Sequence, residues 1–311
     1  MKSVRRAVID VGTNSVKLLV ATVTGQSVLP LWEESEQTRL GRGLRQSQRL
    51  QPESIAQTAR AVARFAAIAA RYDARSVRVV ATSAARDAIN QDELRSSIRQ
   101  AANLDVRILS GEEEAEWAFR GVSTDPRLAR RRLVVLDAGG GSTQLITGDS
   151  AGHRTRFSLA LGAVHLLEHL QPGNPPRKGE LTRCRAWLRD YFALHLPPPS
   201  SILSGGPPGA GEQLVGTGGT SSLMAAIHLG LNTFDRQRIE EVCLTRAQIQ
   251  QLLESLWRMS LADRKQIPGL PPERADVILT GVAIHAAIVE HLGMADLIVS
   301  TRGLRFAALL E

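Results

Sequence analysis

Asp10-Val-Gly-Thr-Asn-Ser15 and Asp137-Ala-Gly-Gly-Gly-Ser142 are the two stretches that decide the fold. Both read Asp-x-Gly-x-x-Ser, and both lie between two apolar runs. Arg6 to Val11 precedes the first and Val16 to Val23 follows it. Leu133 to Ala138 precedes the second and Thr143 to Thr147 follows it. An apolar run, a glycine turn and a second apolar run read as strand, tight turn, strand. Finding that unit twice predicts a duplicated domain, each half offering one glycine-rich turn to a shared cleft.

Working outward from the first turn, Pro52 to Tyr72 carries Ile55, Ala59, Val62, Ala66 and Ala69 at helical spacing. Val77–Ala81 reads as a strand, Asp92–Ala102 as a helix, Val106–Leu109 as a strand and Gly111–Val122 as a helix. Alternating strands and helices argue an α/β fold. Thr124–Arg132, with its proline and arginines, is the best boundary, giving domains over 1–126 and 127–311. Beyond the second turn, helices are expected over Leu181–Leu194, Leu223–Leu229, Thr245–Met259 and Glu273–His291. A strand is expected over Leu297–Ser300 and a last helix over Leu304–Leu310. The final segment, about 301–311, is expected to pack back on the first domain. Gly216–Gly219 is read as a third glycine turn.

Glycine lets the backbone approach an anion and aim N–H groups at it. Ser and Thr hydroxyls add donors, and an Asp at the end of the preceding strand can hold a cation. One such turn is most simply a tight hairpin with no ligand. Two copies with aligned Asp and Ser, and a third glycine turn, favour phosphate binding. The charge balance agrees: 38 Lys and Arg against 31 Asp and Glu give a net +7. Only Lys2, Lys17, Lys178 and Lys265 are lysines, and guanidinium grips phosphate bidentately. Hydrophobic residues are 43% and charged residues 22%, an ordinary globular mix that argues against global disorder. Cys184 and Cys243 have no CxxC spacing, which excludes a disulfide scaffold and a cysteine-built zinc site. No secretory signal is read at the N-terminus, where Asp10 interrupts the apolar run. Val277–Val289 is too short to span a bilayer. A soluble, cytoplasmic protein is expected. Scattered arginines, few aromatics and no recognition motif argue against nucleic acid.

AVIDVGTNSVKLLV, TRLGRGL, ATSAARDA, LSGEEEAEWAFRGV, LDAGGGSTQL, SLALGAVHL, LVGTGGTSSL and IPGLPPERADVI occur in that order. Together they resemble the exopolyphosphatase and guanosine pentaphosphate phosphohydrolase (Ppx/GppA) family of the actin-like ATPase superfamily, in its short two-domain form. The resemblance implies two ribonuclease-H-like domains with the active site in the cleft between them. It implies removal of a terminal phosphate from inorganic polyphosphate, or alternatively from guanosine pentaphosphate, with Mg2+, and a homodimer is expected. The family's catalytic glutamate matches Glu114 and its phosphate-contacting arginine matches Arg86. Phosphate binding falls to Gly12, Thr13, Asn14 and Ser15, and to Gly139, Gly140, Gly141, Ser142 and Thr143. The metal falls to Asp137, with Gln144 and Asp10.

Each of these residues also has a plainer reading. Ser110 and Glu113 form a Ser-x-x-Glu capping box, which accounts for Glu113 but leaves Glu114 surplus. Glu114 can then orient a water for in-line attack on phosphorus. Arg86 reads either as a solvated helix-start arginine or as a group that stabilises phosphoryl charge. Where the family usually continues Gly-Gly-Gly-Ser-Thr-Glu, this chain has Gln144. A neutral amide binds magnesium more weakly, so a polyphosphate-binding member with weakened catalysis is a further alternative. His165-Leu-Leu-Glu168-His169 fits the His-x-x-Glu-His zinc-peptidase pattern, short enough to arise by chance. An ATP-binding kinase of the same superfamily is a rival, disfavoured by Glu114 at the helix start and because no sugar-binding segment is recognisable.

Overall fold

The structure is a computed structural model and describes residues 2–203 and 211–311. The chain divides into two compact units, Met1–Asp125 with Arg302–Glu311, and Pro126–Thr301.

In the first unit the chain forms β1 (Val4–Val11), β2 (Ser15–Thr24), β3 (Ser27–Gln37), α1 (Leu44–Ser47), α2 (Pro52–Arg71), β4 (Val77–Ala81), α3 (Ser83–Asp87), α4 (Gln91–Ala102), β5 (Val106–Ile108) and α5 (Gly111–Val122). The sheet order is β3-β2-β1-β4-β5. β1, β2 and β3 form an antiparallel meander, while β4 and β5 run parallel to β1. Side chains alternate between the sheet's two faces, as the pleat requires. Ala7, Ile9 and Val11 enter a core with Ile55, Val62 and Phe65 of α2 and Leu94 and Ile98 of α4. Val8, Leu19, Ala21 and Val80 enter a second core with Trp117 of α5 and Leu304, Phe306 and Ala307. Those last three belong to the final helix of the chain, which therefore completes one face of the first sheet.

The second unit contains β6 (Arg132–Ala138), β7 (Thr143–Asp149), β8 (Gly152–Leu159), α6 (Ala163–Leu170), α7 (Glu180–His195), α8 (Pro199–Ile202), β9 (Glu212–Thr217), α9 (Gly218–Leu229), α10 (Arg236–Glu240), β10 (Cys243–Thr245), α11 (Arg246–Leu256), α12 (Leu261–Arg264), α13 (Ile278–His291) and β11 (Asp296–Val299); α14 (Leu304–Leu310) is the final helix. Its sheet runs β10-β11-β9-β6-β7-β8. The meander β6-β7-β8 followed by parallel β9 and β11 repeats the first unit's topology, with β10 added antiparallel at the edge. This is the ribonuclease-H-like arrangement, present twice, as the resemblance implies.

The edge strands β3 and β8 are absent from the sequence reading: in SVLPLWEESEQ a proline interrupts the short apolar start and the second half is charged, and GHRTRFSL lacks a sustained apolar run. Edge strands tolerate and favour such charge. Glu273–His291 was read as one helix, whereas Pro272–Arg274 is a 3-10 turn and α13 starts only at Ile278. The prolines Pro271 and Pro272 carry no N–H for an earlier helical turn. The glycine turn read at Gly216–Gly219 is where β9 runs directly into α9, which starts at Gly218 rather than at Leu223.

Candidate active site

Parallel strands β1, β4 and β5 end side by side, with Val11 beside Ala81 and Ala81 beside Ile108. Whatever follows them in sequence emerges at one edge of the sheet, where open α/β sheets bind ligands. The three following segments are the Gly12–Ser15 turn, the Thr82–Arg86 segment leading through α3, and the Ser110–Glu114 start of α5. The sheet therefore brings together residues that are about a hundred positions apart.

The Gly12–Ser15 turn is closed by the Gly12 N–H donating to the Ser15 carbonyl at 3.0 Å. The Arg39 N–H bonds the Asn14 carbonyl at 3.0 Å and the Gly41 N–H bonds the Thr13 carbonyl at 2.8 Å. A turn whose carbonyls are bonded inward presents N–H groups outward, the geometry of an anion nest. Thr13, Asn14 and Ser15 are all buried. The Asn14 Nδ2 is enclosed and has no acceptor among the described residues, leaving a donor that an anion can take up. Gly41 explains the TRLGRGL segment: a Cβ there would lie 2.3 Å from the Thr13 Cγ2.

The second unit repeats the device. The Gly139 N–H donates to the Ser142 carbonyl at 2.9 Å, and the Ala163 and Val164 N–H groups bond the Gly139 and Gly140 carbonyls. Gly162 plays the part of Gly41, because a Cβ there would lie 2.4 Å from the Gly140 backbone. The Thr143 hydroxyl donates to the Leu161 carbonyl at 2.5 Å, so it frames the loop rather than pointing a proton outward.

Arg86 and Glu114 meet. The Arg86 Nη1 lies 3.0 Å from the Glu114 Oε2 and donates to the Leu109 carbonyl at 2.9 Å. Glu114 is buried and Arg86 partly so. The capping box is present as read: the Ser110 Oγ accepts from the Glu113 N–H and the Glu113 Oε2 from the Ser110 N–H. The Ser110 N–H and the Arg107 guanidinium hold the Glu113 carboxyl below the usual carboxylate range. Glu113 is thus occupied in starting the helix, and Glu114 is turned inward toward Arg86.

The two strand-end aspartates differ in surroundings. Asp10 pairs across the hairpin with Lys17, and Asp137 pairs with Gln144 in the corresponding place. Residues directly opposite share a sheet face, so Lys17 and Gln144 are the cross-strand neighbours of the two carboxylates. Burial raises the Asp10 carboxyl above its ordinary pKa, while Lys17 and Arg305 pull it down. Its Oδ1 is enclosed with no hydrogen-bond partner among the described residues. Gln144 is fully buried, and its Nε2 donates to the Ser142 Oγ at 2.9 Å. Gly218, at φ +83°, makes room for Asp137: a Cβ would lie 2.3 Å from the Asp137 Oδ1.

Lys17, Gly41, Gly162 and Arg305 escaped the sequence reading as parts of the site, and Gly218 was read only within a third glycine turn. The seven-residue spacing Asp10–Lys17 and Asp137–Gln144 was a legible signal, since a tight hairpin pairs those positions. His165 and His169, of the zinc-like pattern, diverge: His165 is buried in the first turn of α6, while His169 is exposed and packs on Trp187 at 4.7 Å between ring centres. Among the described residues no three His, Cys, Asp or Glu side chains gather as a metal cluster. No described helix is long and apolar enough to cross a membrane.

Known proteins share this fold. Residues 19–311 match the family model described as the Ppx/GppA phosphatase family. Exopolyphosphatase 2 of Mycobacterium tuberculosis is 32% identical over 301 residues, covering 94% of this chain and 91% of that protein. The crystal structure of the Aquifex aeolicus Ppx/GppA family member superposes with a TM-score of 0.80 at 27% identity, covering 99% of this chain and 97% of that one. An exopolyphosphatase-like protein of known structure reaches a TM-score of 0.88 at 25% identity, covering 100% and 98%. The chain belongs to the Ppx/GppA phosphatase family and is a hydrolase of phosphoric anhydrides.

Proposed function

We propose that the protein is an exopolyphosphatase, releasing orthophosphate from the end of inorganic polyphosphate by in-line attack of water. The observation that carries this reading is the Arg86–Glu114 pair, 3.0 Å apart, at the sheet edge that also holds the Gly12–Ser15 turn. The mycobacterial relative named an exopolyphosphatase supports polyphosphate as the substrate.

Glu114 accepts a hydrogen bond from the attacking water and takes up its proton as the new oxygen–phosphorus bond forms. The bond from the terminal phosphorus to the bridging oxygen breaks, and the shortened chain keeps that oxygen. Arg86, which bonds the Glu114 carboxylate, turns its remaining donors to the terminal phosphoryl oxygens and offsets their charge. Beside them, in the same unit, the outward N–H groups of the Gly12–Ser15 turn, with Asn14 Nδ2 and the Ser15 hydroxyl, hold phosphoryl oxygens. Glu112 and Glu113 take no part, since the first turn of α5 needs them.

The residues fit a hard, oxygen-ligated cation. Asp137 has space made by Gly218, and the Gln144 side chain stands across the strand pair. Asp10 is a poorer ligand, because Lys17 opposite and Arg305 nearby already supply positive charge. With so few carboxylates, Mg2+ suits the site better than a cation needing a full protein cage, because it shares its coordination with water and substrate phosphates. Asp137 and Gln144 would hold it, and it would neutralise charge on the phosphoryl oxygens.

Orthophosphate release from long-chain polyphosphate and from guanosine pentaphosphate, each with Mg2+ and with EDTA, tests the reading. Mg2+-dependent release from polyphosphate is expected. Release from the nucleotide alone overturns the substrate assignment, and release from neither overturns the enzymatic one.

A further inference from the structure

The segment 38–47 follows β3 and packs against the first glycine turn. The Arg39 and Gly41 N–H groups bond the Asn14 and Thr13 carbonyls at 3.0 and 2.8 Å. Gly41 is wedged between that turn and α3, where a Cβ would lie 2.3 Å from the Thr13 Cγ2 and 3.4 Å from the Ala84 Cβ. Leu40 and Leu44 are buried in the core shared with α2. Arg39 holds a left-handed backbone, φ 49°, which a residue with a side chain keeps only where its surroundings impose it. The segment is therefore fixed at the rim of the turn.

What the segment presents outward is charge. Arg39, Arg42 and Arg45 are all exposed, at a spacing of three. Successive turns, with the Arg42 N–H on the Arg39 carbonyl and the Leu44 N–H on the Gly41 carbonyl, carry the chain into α1. Residues three apart in such turns are neighbours. Among the described residues neither the Arg42 nor the Arg45 side chain has an ion pair or a hydrogen bond. The next arginine differs, since Arg49 is taken up by Glu93 at 2.7 Å. Two unspent guanidinium groups thus stand on a frame bonded to the phosphate turn, and each can grip phosphoryl oxygens bidentately. A polyphosphate carries charge on every phosphoryl group, including those that its reacting end leaves outside the turn. We propose that Arg42 and Arg45 hold the phosphates behind the reacting one, so that the chain leaves the site over the first unit along segment 38–47, and that this contact selects long chains over short ones. The proposal rests on the exopolyphosphatase reading above.

Arg42→Ser with Arg45→Ser removes two exposed side chains that the fold does not use. Arg71→Ser with Arg75→Ser is the matched control, with the same charge change at two other exposed positions. Arg71 ends α2, about 25 Å along the helix from Ser54, whose hydroxyl bonds the Arg39 carbonyl. Orthophosphate release from long-chain polyphosphate and from tripolyphosphate is measured for wild type and both variants, beside calorimetric binding of each in EDTA. The Arg42, Arg45 variant should raise KM for the long chain about fivefold, and its Kd in EDTA alike, with a change under about twofold for tripolyphosphate. Its long-chain Kd should also depend less on salt, because fewer counterions are released. The control should move neither substrate. Unchanged long-chain KM and Kd overturn the proposal. An equal change for tripolyphosphate, or an equal effect in the control, also overturns it by showing that net charge acts without a track. A wild type that releases no orthophosphate from polyphosphate fails the exopolyphosphatase reading instead, and the Kd comparison still decides for or against the track.

Discussion

Gln144→Glu tests where the metal sits, with a readout that does not depend on turnover. Gln144 faces Asp137 directly across the β6–β7 pair, and such positions have Cβ atoms about 4.5–5.5 Å apart. The substitution keeps shape: the Ser142 hydroxyl, now accepting from Gln144 Nε2 at 2.9 Å, rotates to donate to the new carboxylate. What changes is charge. Two carboxylates about 5 Å apart repel by roughly 3 kcal/mol at an effective dielectric near 20, an upper guide because protonation of one relieves it. At about 2–4 °C per kcal/mol for units of this size, the melting temperature in EDTA should fall by several degrees. Mg2+ should reverse the loss, because the same two charges now attract one cation. If even a quarter to a third of the electrostatic gain survives, about 1 kcal/mol, Mg2+ for half-maximal activity drops roughly fivefold. The assay is calorimetric melting of wild type and variant in EDTA and in Mg2+, beside a Mg2+ titration of orthophosphate release. An equal melting temperature for the variant in both buffers, with an unmoved Mg2+ curve, would refute the placement of the cation at Asp137 and Gln144.

Glu114→Gln keeps a partner for Arg86 but cannot accept the proton of water, so turnover should drop by about 10²–10⁴ with polyphosphate binding intact; single-turnover kinetics and binding measured together check it, and wild-type turnover would remove Glu114 from the chemistry. Gly121→Ala places a Cβ 1.9 Å from the Gly303 carbonyl oxygen, forcing α5 and α14 apart. Overpacking of that kind costs about 1–3 kcal/mol, and a chemical-denaturation midpoint equal to wild type would show that the helices part freely. His285 is fully buried, donating from Nδ1 to the Gly281 carbonyl and accepting the Ser221 hydroxyl at Nε2, and burial holds its pKa down at about 4 from 6.5. Below pH 6.5 the unfolded chain takes up a proton that the folded one refuses. The His285 contribution is therefore complete above pH 6.5 and lost as pH falls toward about 4, by roughly 3 kcal/mol. His285→Gln should flatten the stability profile over that window, and an equal slope in wild type and variant would contradict the assignment.

Much of the architecture was legible in the chain itself. The repeated Asp-x-Gly-x-x-Ser between apolar runs marks both hairpins, because hydrophobic alternation and glycine turns are local properties. Val77–Ala81, Gly111–Val122 and the capping box at Ser110 are likewise set by residues within a few positions of one another. Edge strands such as β3 and β8 are not, since what makes them strands is the neighbour they pair with. The site follows the same division. Glycine and Asp at each turn could be named from the pattern, and Glu114 and Arg86 from the family resemblance. That Arg86 reaches Glu114 depends on β4 lying beside β5, a long-range pairing. Gly218, seemingly part of a third turn, serves to clear space for an aspartate from another strand. Arg305, near the end of the chain, bears on Asp10 near its beginning because α14 packs on the sheet that holds β1. Local propensity writes the elements and the turns. Which charges face one another is decided by sheet order and helix packing, which join residues that no short window of sequence contains.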